Sequence, residues 1–344
     1  GKSVAMAADE HGLDAADEAD AVKLSSNENP YPPVASVVEA VAAAAGDVNR
    51  YGDHGATELR HALAGWLGVD VAQVVTGCGS VGLLQQLFLS YVDPGDEVVY
   101  PWPSFEAYPV DVRITAGVEV AVPLVDHAFD LEAVAAAVTP RTKLVVLANP
   151  NNPTGTAVHV DEIRTLVERV PDDVLVVVDE AYREFVTVDL GDPVTDLVPD
   201  HPNVVVLRTF SKAYGLAALR TGYGVADPSV AEQVDKVLIP FAVNHLAQKG
   251  SLAAIAARDE VQVVIDRLTA ERDRVVVALR DGGWEVPDAH ANFVWLPLGG
   301  RTDEVFPEVE RQGVVVRPFP GVGIRVTIGT PAENDRFLAA LARL

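Results

Sequence analysis

One cysteine, Cys78, occurs in 344 residues, so no internal disulfide can staple the chain. That usage favours a reducing compartment, with the cytoplasm as the default expectation. No run of about 18 to 20 uninterrupted apolar residues is present, which argues against a membrane-spanning helix, and the N-terminus lacks the basic-then-apolar layout of a secretion signal. Positive charge is scarce as well: 26 Lys and Arg stand against 50 Asp and Glu, a formal net charge of -24. Nucleic acids and anionic membranes are bound by clustered basic residues that replace counterions, so neither is expected as a partner. Lysine is the scarcer base, at Lys2, Lys23, Lys143, Lys212, Lys236 and Lys249, and each can be weighed by itself. Internal repeats and low-complexity tracts are also missing.

What is present is an ordinary globular composition, 49% hydrophobic and 22% charged, on a chain long enough for one large and one small core. An Ala-, Asp- and Glu-rich solvated arm leads into the loop SSNENPYPP at 25–33. VASVVEAVAAAA and ATELRHALAGWLG then carry helical periodicity, with Leu59, Leu63 and Leu67 on one face. Seven short apolar runs follow: VAQVVTG, DEVVYP, GVEVAVPL, TKLVVLANP, DVLVVVDE, NVVVLRTF and GYGVAD. Val-rich runs bounded by Gly, Pro or Asp fit strands buried on both faces of a largely parallel sheet. VGLLQQLFLSYV, DLEAVAAAV and VDEIRTLVERV interleave as crossover helices. The expected fold is α/β: a three-layer α/β/α large domain with a mostly parallel seven-stranded sheet, plus a smaller α+β domain. The boundary is expected within a long helical, amphipathic segment, and the second domain contains ANFVWLPL, VVVRPF, GIRVTIGT and two helices.

Parallel α/β sheets bind ligands at the carboxyl ends of their strands, and four of these ends carry polar or glycine-rich stretches. TGCGS, opening a helix, is an anion cradle in form, because small residues let N–H groups at a helix N-terminus approach a phosphate. A tight strand-to-helix turn alone needs the same glycines. In VVVDEAY, Asp179 closes a run expected to be buried, where a carboxylate is costly without a cation. It is either a helix N-cap or the partner of a cationic ligand atom, and Tyr182 stands three residues on. NPNNPTGT holds two Asn-Pro steps and a glycine, turn chemistry that admits a cis peptide, and an Asn amide there can bond a ligand oxygen. TFSKAYG places a scarce lysine at the mouth of a buried strand. Desolvation lowers an amine's pKa and makes Lys212 a candidate nucleophile and base, while Thr209, Ser211 and Arg220 are groups that a phosphate takes.

An amine for an aldehyde, a carboxylate for a pyridinium, Asn and Tyr for a phenolate oxygen and a cradle for a phosphate together describe pyridoxal 5'-phosphate. The combination is far more specific than its parts. With these motifs the chain resembles the fold-type I pyridoxal-phosphate aminotransferases, in particular the histidinol-phosphate aminotransferase branch and its actinobacterial aromatic amino-acid aminotransferase relatives. The resemblance runs from SSNENPYPP through GIRVTIGT, and TFSKAYGLAALRTGY and NPNNPTGT are its most specific segments.

The resemblance implies a role for each matching residue. Lys212 corresponds to the Schiff-base lysine, Asp179 to the partner of the pyridine nitrogen, and Asn152 and Tyr182 to the residues that bond the ring oxygen. Thr209, Ser211 and Arg220 correspond to phosphate ligands, helped by Ser80 and Val81, and Phe105 to the aromatic that stacks on the ring. Tyr51 corresponds to a tyrosine that reaches the phosphate of the neighbouring subunit, implying a homodimer with shared sites. Arg325 corresponds to the arginine that binds a substrate carboxylate, with Arg317, Asn27 and Tyr31 as further substrate contacts. The implied division is an arm and substrate loop at 1–34, a large cofactor-binding domain at 35–250 and a small domain at 251–344. The implied reaction moves an amino group from phenylalanine or tyrosine to 2-oxoglutarate. Histidinol phosphate is the alternative donor, with Arg317 as the candidate receptor of its phosphate; a decarboxylase or regulator of the same fold is more remote. Many histidinol-phosphate enzymes carry an acidic pair after the cradle, where this chain has Val81 and Gly82, which brings it nearer the aromatic relatives.

Overall fold

The computed structural model describes Met6 and residues 21–344. Most of the expected N-terminal arm therefore lies outside the described residues. The chain enters through a short strand, β1 (Val22–Lys23), and the helices Ala35–Ala44 and Thr57–Leu67. Leu59 and Leu63 are fully buried, while Leu67 lies at the margin of the core.

Each of the seven apolar runs becomes a strand: β2 (Val74–Gly77), β3 (Glu97–Trp102), β4 (Val118–Pro123), β5 (Thr142–Ala148), β6 (Leu175–Asp179), β7 (Val204–Thr209) and β8 (Gly222–Val225). They form one sheet in the order β2-β8-β7-β6-β5-β3-β4. All neighbours are parallel except β8, which runs antiparallel to both β2 and β7. Successive side chains of a strand point to opposite faces, and the core divides accordingly. Leu144 and Val146 of β5, Val177 of β6 and Val205 and Leu207 of β7 pack into one apolar cluster. Val145, Leu147, Val176, Val178, Val204 and Val206 pack into a second, on the other face. Burying one Val or Leu side chain contributes roughly 1.5–3 kcal/mol, which makes this double-faced burial the main stabiliser of the central strands. The strand β4 departs from the expectation of full burial. It sits at the sheet edge, and only Val122 among its residues is buried.

After β3 the chain moves outward to β4, and after β5 it moves the other way to β6 and β7. That reversal opens a crevice at the carboxyl ends of β3 and β5, the usual place for a ligand in an open α/β sheet.

The last third contains a 24-residue helix, Arg258–Asp281, and an antiparallel sheet in the order β11-β12-β9, from β9 (Phe293–Leu296), β11 (Arg317–Phe319) and β12 (Gly323–Thr327). VVVRPF splits into two elements. Its first half forms β10 (Val314–Val315), which pairs with β1, and its second half forms β11. The helices Thr302–Arg311 and Pro331–Leu341 complete this part; a capping box between Thr330 and Glu333 starts the second.

Behind the carboxyl ends of β6 and β7 lies a ring of ion pairs. Arg208 donates through Nε to Glu180 Oε2 at 2.8 Å and through Nη2 to Asp192 Oδ1 at 2.6 Å. Arg183 closes the ring, with Nη1 to Glu180 Oε1 at 3.0 Å and Nη2 against Asp192 Oδ2 at 3.1 Å. Glu180 and Arg208 are buried. Removing one partner strands the other's charge, so Arg208→Met should lower the unfolding free energy by about 3–5 kcal/mol. Glu180→Gln/Arg208→Met should lose less than the sum of its single variants; urea titrations showing additive losses would contradict a coupled pair.

Candidate functional site

A cavity of about 210 Å³ opens at the crevice. Ten residues singled out in the sequence line it: Ser80, Val81, Phe105, Asn152, Asp179, Tyr182, Thr209, Ser211, Lys212 and Arg220. They arrive from five chain segments, each following or ending a strand of the large sheet, or facing one across it.

Asp179 is the last residue of β6 and is buried. Its Oδ2 accepts from the Tyr108 hydroxyl at 3.3 Å, whereas Oδ1 is buried with no hydrogen-bond partner. Burial pushes its pKa up to about 6, opposed by the Tyr108 bond and the charge of Lys212. Tyr108 itself is driven well above the ordinary phenol range by burial and by Asp179, so it remains a donor.

Lys212 follows β7. Its ammonium donates to the Ser26 carbonyl at 3.2 Å and lies 5.9 Å from the centre of the Tyr182 ring. Burial lowers its pKa to about 8, with the charges of Arg325 and Arg220 helping and those of Glu28 and Asp179 opposing. An amine in that range is substantially a free base at mildly alkaline pH, as a nucleophile or base requires.

The anion cradle is built by close backbone approach. Gly79 has φ 74°, and a Cβ there would meet Arg220 Nη2 at 2.6 Å. Gly222 passes so near the turn that a Cβ would lie 2.2 Å from the Ser80 nitrogen. Arg220 adopts the left-handed region at φ 60°, unusual for a residue other than glycine, and donates to Ser211 Oγ at 3.3 Å and to the Ala217 carbonyl at 2.9 Å. These contacts hold a guanidinium, two hydroxyls and the first turn of helix Gly79–Tyr91 around one end of the cavity.

The remaining candidates stand behind or beside this wall. Arg325, buried on β12, donates to Asn152 Oδ1 and to the Ser25 carbonyl, both at 2.6 Å, and its Nε is buried without a partner. Among the described residues no carboxylate forms a salt bridge with it. Burial lowers its pKa; Tyr182 opposes this, Arg317 adds to it and Glu106 opposes it. Asn27, with φ 54°, donates through Nδ2 to the Tyr182 hydroxyl at 3.0 Å. Its backbone is tied to Thr327 and Asn292, which fixes SSNENPYPP against the site. Arg317 lies opposite Arg325 in the β11–β12 pair and is forked onto Glu106. Tyr31 and Tyr51 do not line the cavity. The Tyr31 ring lies under Arg267 at 4.9 Å, and Tyr51, 82% exposed, stacks on Phe241 at 4.3 Å.

Tyr108, Ser26, Glu28 and Glu106 escaped the sequence reading. Tyr108 and Glu106 stand within PWPSFEAY, but their partners are 71 and 211 residues away, and no local pattern signals such contacts. NPNNPTGT does contain a cis peptide, at Asn149–Pro150, and a second lies at Trp102–Pro103.

Asp179 offers a test independent of any ligand. Its raised pKa means the folded state binds the proton more tightly than the unfolded chain. The ionised carboxylate therefore destabilises the fold progressively as pH rises through about 6. Asp179→Asn should stabilise the ligand-free protein at pH 8 by on the order of 3 kcal/mol and have little effect near pH 4. Equal thermal shifts at both pH values would refute the desolvated carboxylate.

The family model for aminotransferase class I and II matches residues 19–341. An aromatic amino acid aminotransferase of Thermobifida fusca is 52% identical over 92% of this chain and 88% of its own length. Another from Streptomyces coelicolor is 51% identical over 94% and 90%. The crystal structure of histidinol-phosphate aminotransferase from Sinorhizobium meliloti in complex with pyridoxal-5'-phosphate superposes with a TM-score of 0.92 at 32% identity, covering 100% of this chain and 94% of that one. With its mostly parallel seven-stranded sheet and strand-end cavity, the chain belongs to the aminotransferase class I and II family.

Proposed function

We propose that this chain is a pyridoxal-phosphate-dependent aminotransferase that moves the amino group of phenylalanine or tyrosine to 2-oxoglutarate. The observation that carries the cofactor is the unpartnered Asp179 Oδ1, buried in the same cavity as a lysine with lowered pKa and a glycine-built anion cradle. A buried carboxylate oxygen needs a donor, and a protonated pyridine nitrogen is one. Ser80, Val81, Thr209, Ser211 and Arg220 would hold the phosphate, Asn152 and Tyr182 the ring oxygen, and Phe105 a ring face. When bound, the group supplies an electron sink for the charge left on the substrate's α-carbon.

The protein's own residues supply the rest. Asp179 would hold a proton at the pyridine nitrogen, and Tyr108, bonded to its other oxygen, keeps the carboxylate from turning away. Lys212, whose buried ammonium is acidic enough for a large share to be free base near pH 8, removes the α-proton and returns it. Arg325, a buried cation whose described partners are neutral oxygens, has its charge available for one substrate carboxylate. Asn27 orients the Tyr182 hydroxyl, and the Ser26 carbonyl holds the lysine amine in line. The aromatic donor is favoured over histidinol phosphate by the roughly half-identical relatives, against 32% for the histidinol-phosphate neighbour. The division at 1–34, 35–250 and 251–344 remains part of this reading, as does a cytoplasmic location, which the single free Cys78 supports.

Two measurements test it. Lys212→Ala should abolish turnover, to less than about 10⁻³ of the parent, while cofactor still binds noncovalently. In the parent, kcat/KM for phenylalanine or tyrosine should exceed that for histidinol phosphate; the reverse order would overturn the donor assignment, and full turnover by Lys212→Ala would overturn the site.

The same reading includes a homodimer. Tyr51, Val48 and Ile239 are 82%, 64% and 69% exposed, and the Tyr51–Phe241 stack joins the two segments into one apolar patch. A second copy of the chain would cover it, with Tyr51 reaching the phosphate end of that copy's cavity. Sedimentation equilibrium should give twice the chain mass, and Tyr51→Ala should weaken cofactor affinity by about tenfold or more. A monomer at micromolar concentration would exclude the shared site.

A further inference from the structure

Arg317 and Arg325 are direct cross-strand partners, so two guanidinium groups stand at the substrate end of the site. Among the described residues only Arg317 has an acid. Glu106 takes Arg317 through a fork, with Nη2 donating to Oε1 at 2.6 Å and Oε2 at 2.8 Å and Nε to Oε2 at 3.2 Å. The acid is held there by the chain. It follows Phe105, whose side chain lines the cavity, and it precedes Tyr108, which is fully buried against Asp179.

We propose that Glu106 is a specificity-determining residue that limits the negative charge this end of the site accepts, and so excludes phosphate-ester donors. The inference rests on the aminotransferase reading above. With Glu106 in place the charge of Arg325 stays available for one carboxylate, while Arg317 and Glu106 form a pair with no net charge to set against the two charges concentrated on a phosphate. The exposed ion pair itself is weak and can open. Its opening does not help a phosphate ester, because the Glu106 carboxylate stays beside Arg317 and repels a dianion. The distal carboxylate of 2-oxoglutarate carries only one charge, and the Nη1 amino group takes no part in the fork, so this smaller demand can be met there. An aromatic side chain asks nothing of Arg317 and leaves the pair closed.

Phenylalanine and histidinol phosphate are compared as donors for the holoenzyme, Glu106→Gln, Glu106→Ala and Glu106→Gln/Arg317→Met, with 2-oxoglutarate as acceptor. Phenyl phosphate, which has a ring and a phosphate but no amine, is titrated calorimetrically into each. Both single variants should shift the kcat/KM ratio toward histidinol phosphate by about tenfold or more and tighten phenyl phosphate comparably. The double variant should lose both gains. A ratio or an affinity that does not move in the single variants overturns the proposal, as does a gain that survives loss of Arg317. A parent that already prefers histidinol phosphate would overturn both the donor assignment and the exclusion, whereas a parent that prefers phenylalanine but whose variants show no shift overturns the exclusion alone.

Discussion

An ionised carboxylate at the end of a strand buried on both faces is expensive, and the site is arranged around that expense. Asp179 has one oxygen bonded to Tyr108 and the other unpartnered. Native interiors rarely leave such an atom without a partner; Asp179 Oδ1 differs from the others in this fold by lining a cavity that also holds Lys212 and the anion cradle. Burial raises the Asp179 pKa and lowers that of Lys212. The two shifts have the same origin in burial, and near pH 8 they leave an ionised carboxylate, as a cationic ring nitrogen asks, and an amine largely free to act as a base.

Strand alternation explains how so polar a place coexists with a Val-rich core. Adjacent residues face opposite ways, so Asp179 and Thr209 look into the cavity while their neighbours Glu180 and Arg208 look away and bond to each other. The ion-pair ring therefore clamps the ends of β6 and β7 from behind at the level where the cavity begins. Holding two parallel strand ends in register is what keeps the aspartate and the Lys212 segment at a fixed separation. Structure and chemistry occupy alternate positions of the same short stretches, VVVDE and VVVLRT.

This is also why so much was legible in the sequence. Strands buried on both faces read as uninterrupted apolar runs, and where such a run stops at Asp, Thr-Phe-Ser-Lys or Asn-Pro, the polar residues mark the ligand end. The edge strand β4 was less legible, because its alternation of Val with Glu and Ala lies within the range of a buried strand. VVVRPF gave one run for two elements, since Val316 only separates pairings made with β1 on one side and β12 on the other. The contacts that sequence could not supply are those that join distant segments: Tyr108 to Asp179, Ser26 to Lys212, and Glu106 to Arg317. Each depends on the crevice left by the reversal of strand order, which exists only once the sheet has formed.

Charge gives the last step. In a chain with 50 acids against 26 strong bases, an arginine without an acid partner is unexpected, and a buried one more so. Removing a guanidinium from water costs several kcal/mol unless an anion offsets it. Arg208, also buried, follows that rule with Glu180 and Asp192, and the half-buried Arg317 follows it with Glu106. Arg325 breaks it among the described residues, bonding only to the neutral oxygens of Asn152 and Ser25 while its Nε has no partner. The fold thus carries two deficits: an acceptor lacking a donor at Asp179, inside the cavity, and a cation lacking an anion at Arg325, which reaches the cavity lining through Asn152. On the proposed reading, a cofactor with a protonated ring nitrogen would remove the first and a substrate carboxylate the second, so one cationic and one anionic group answer the two in turn.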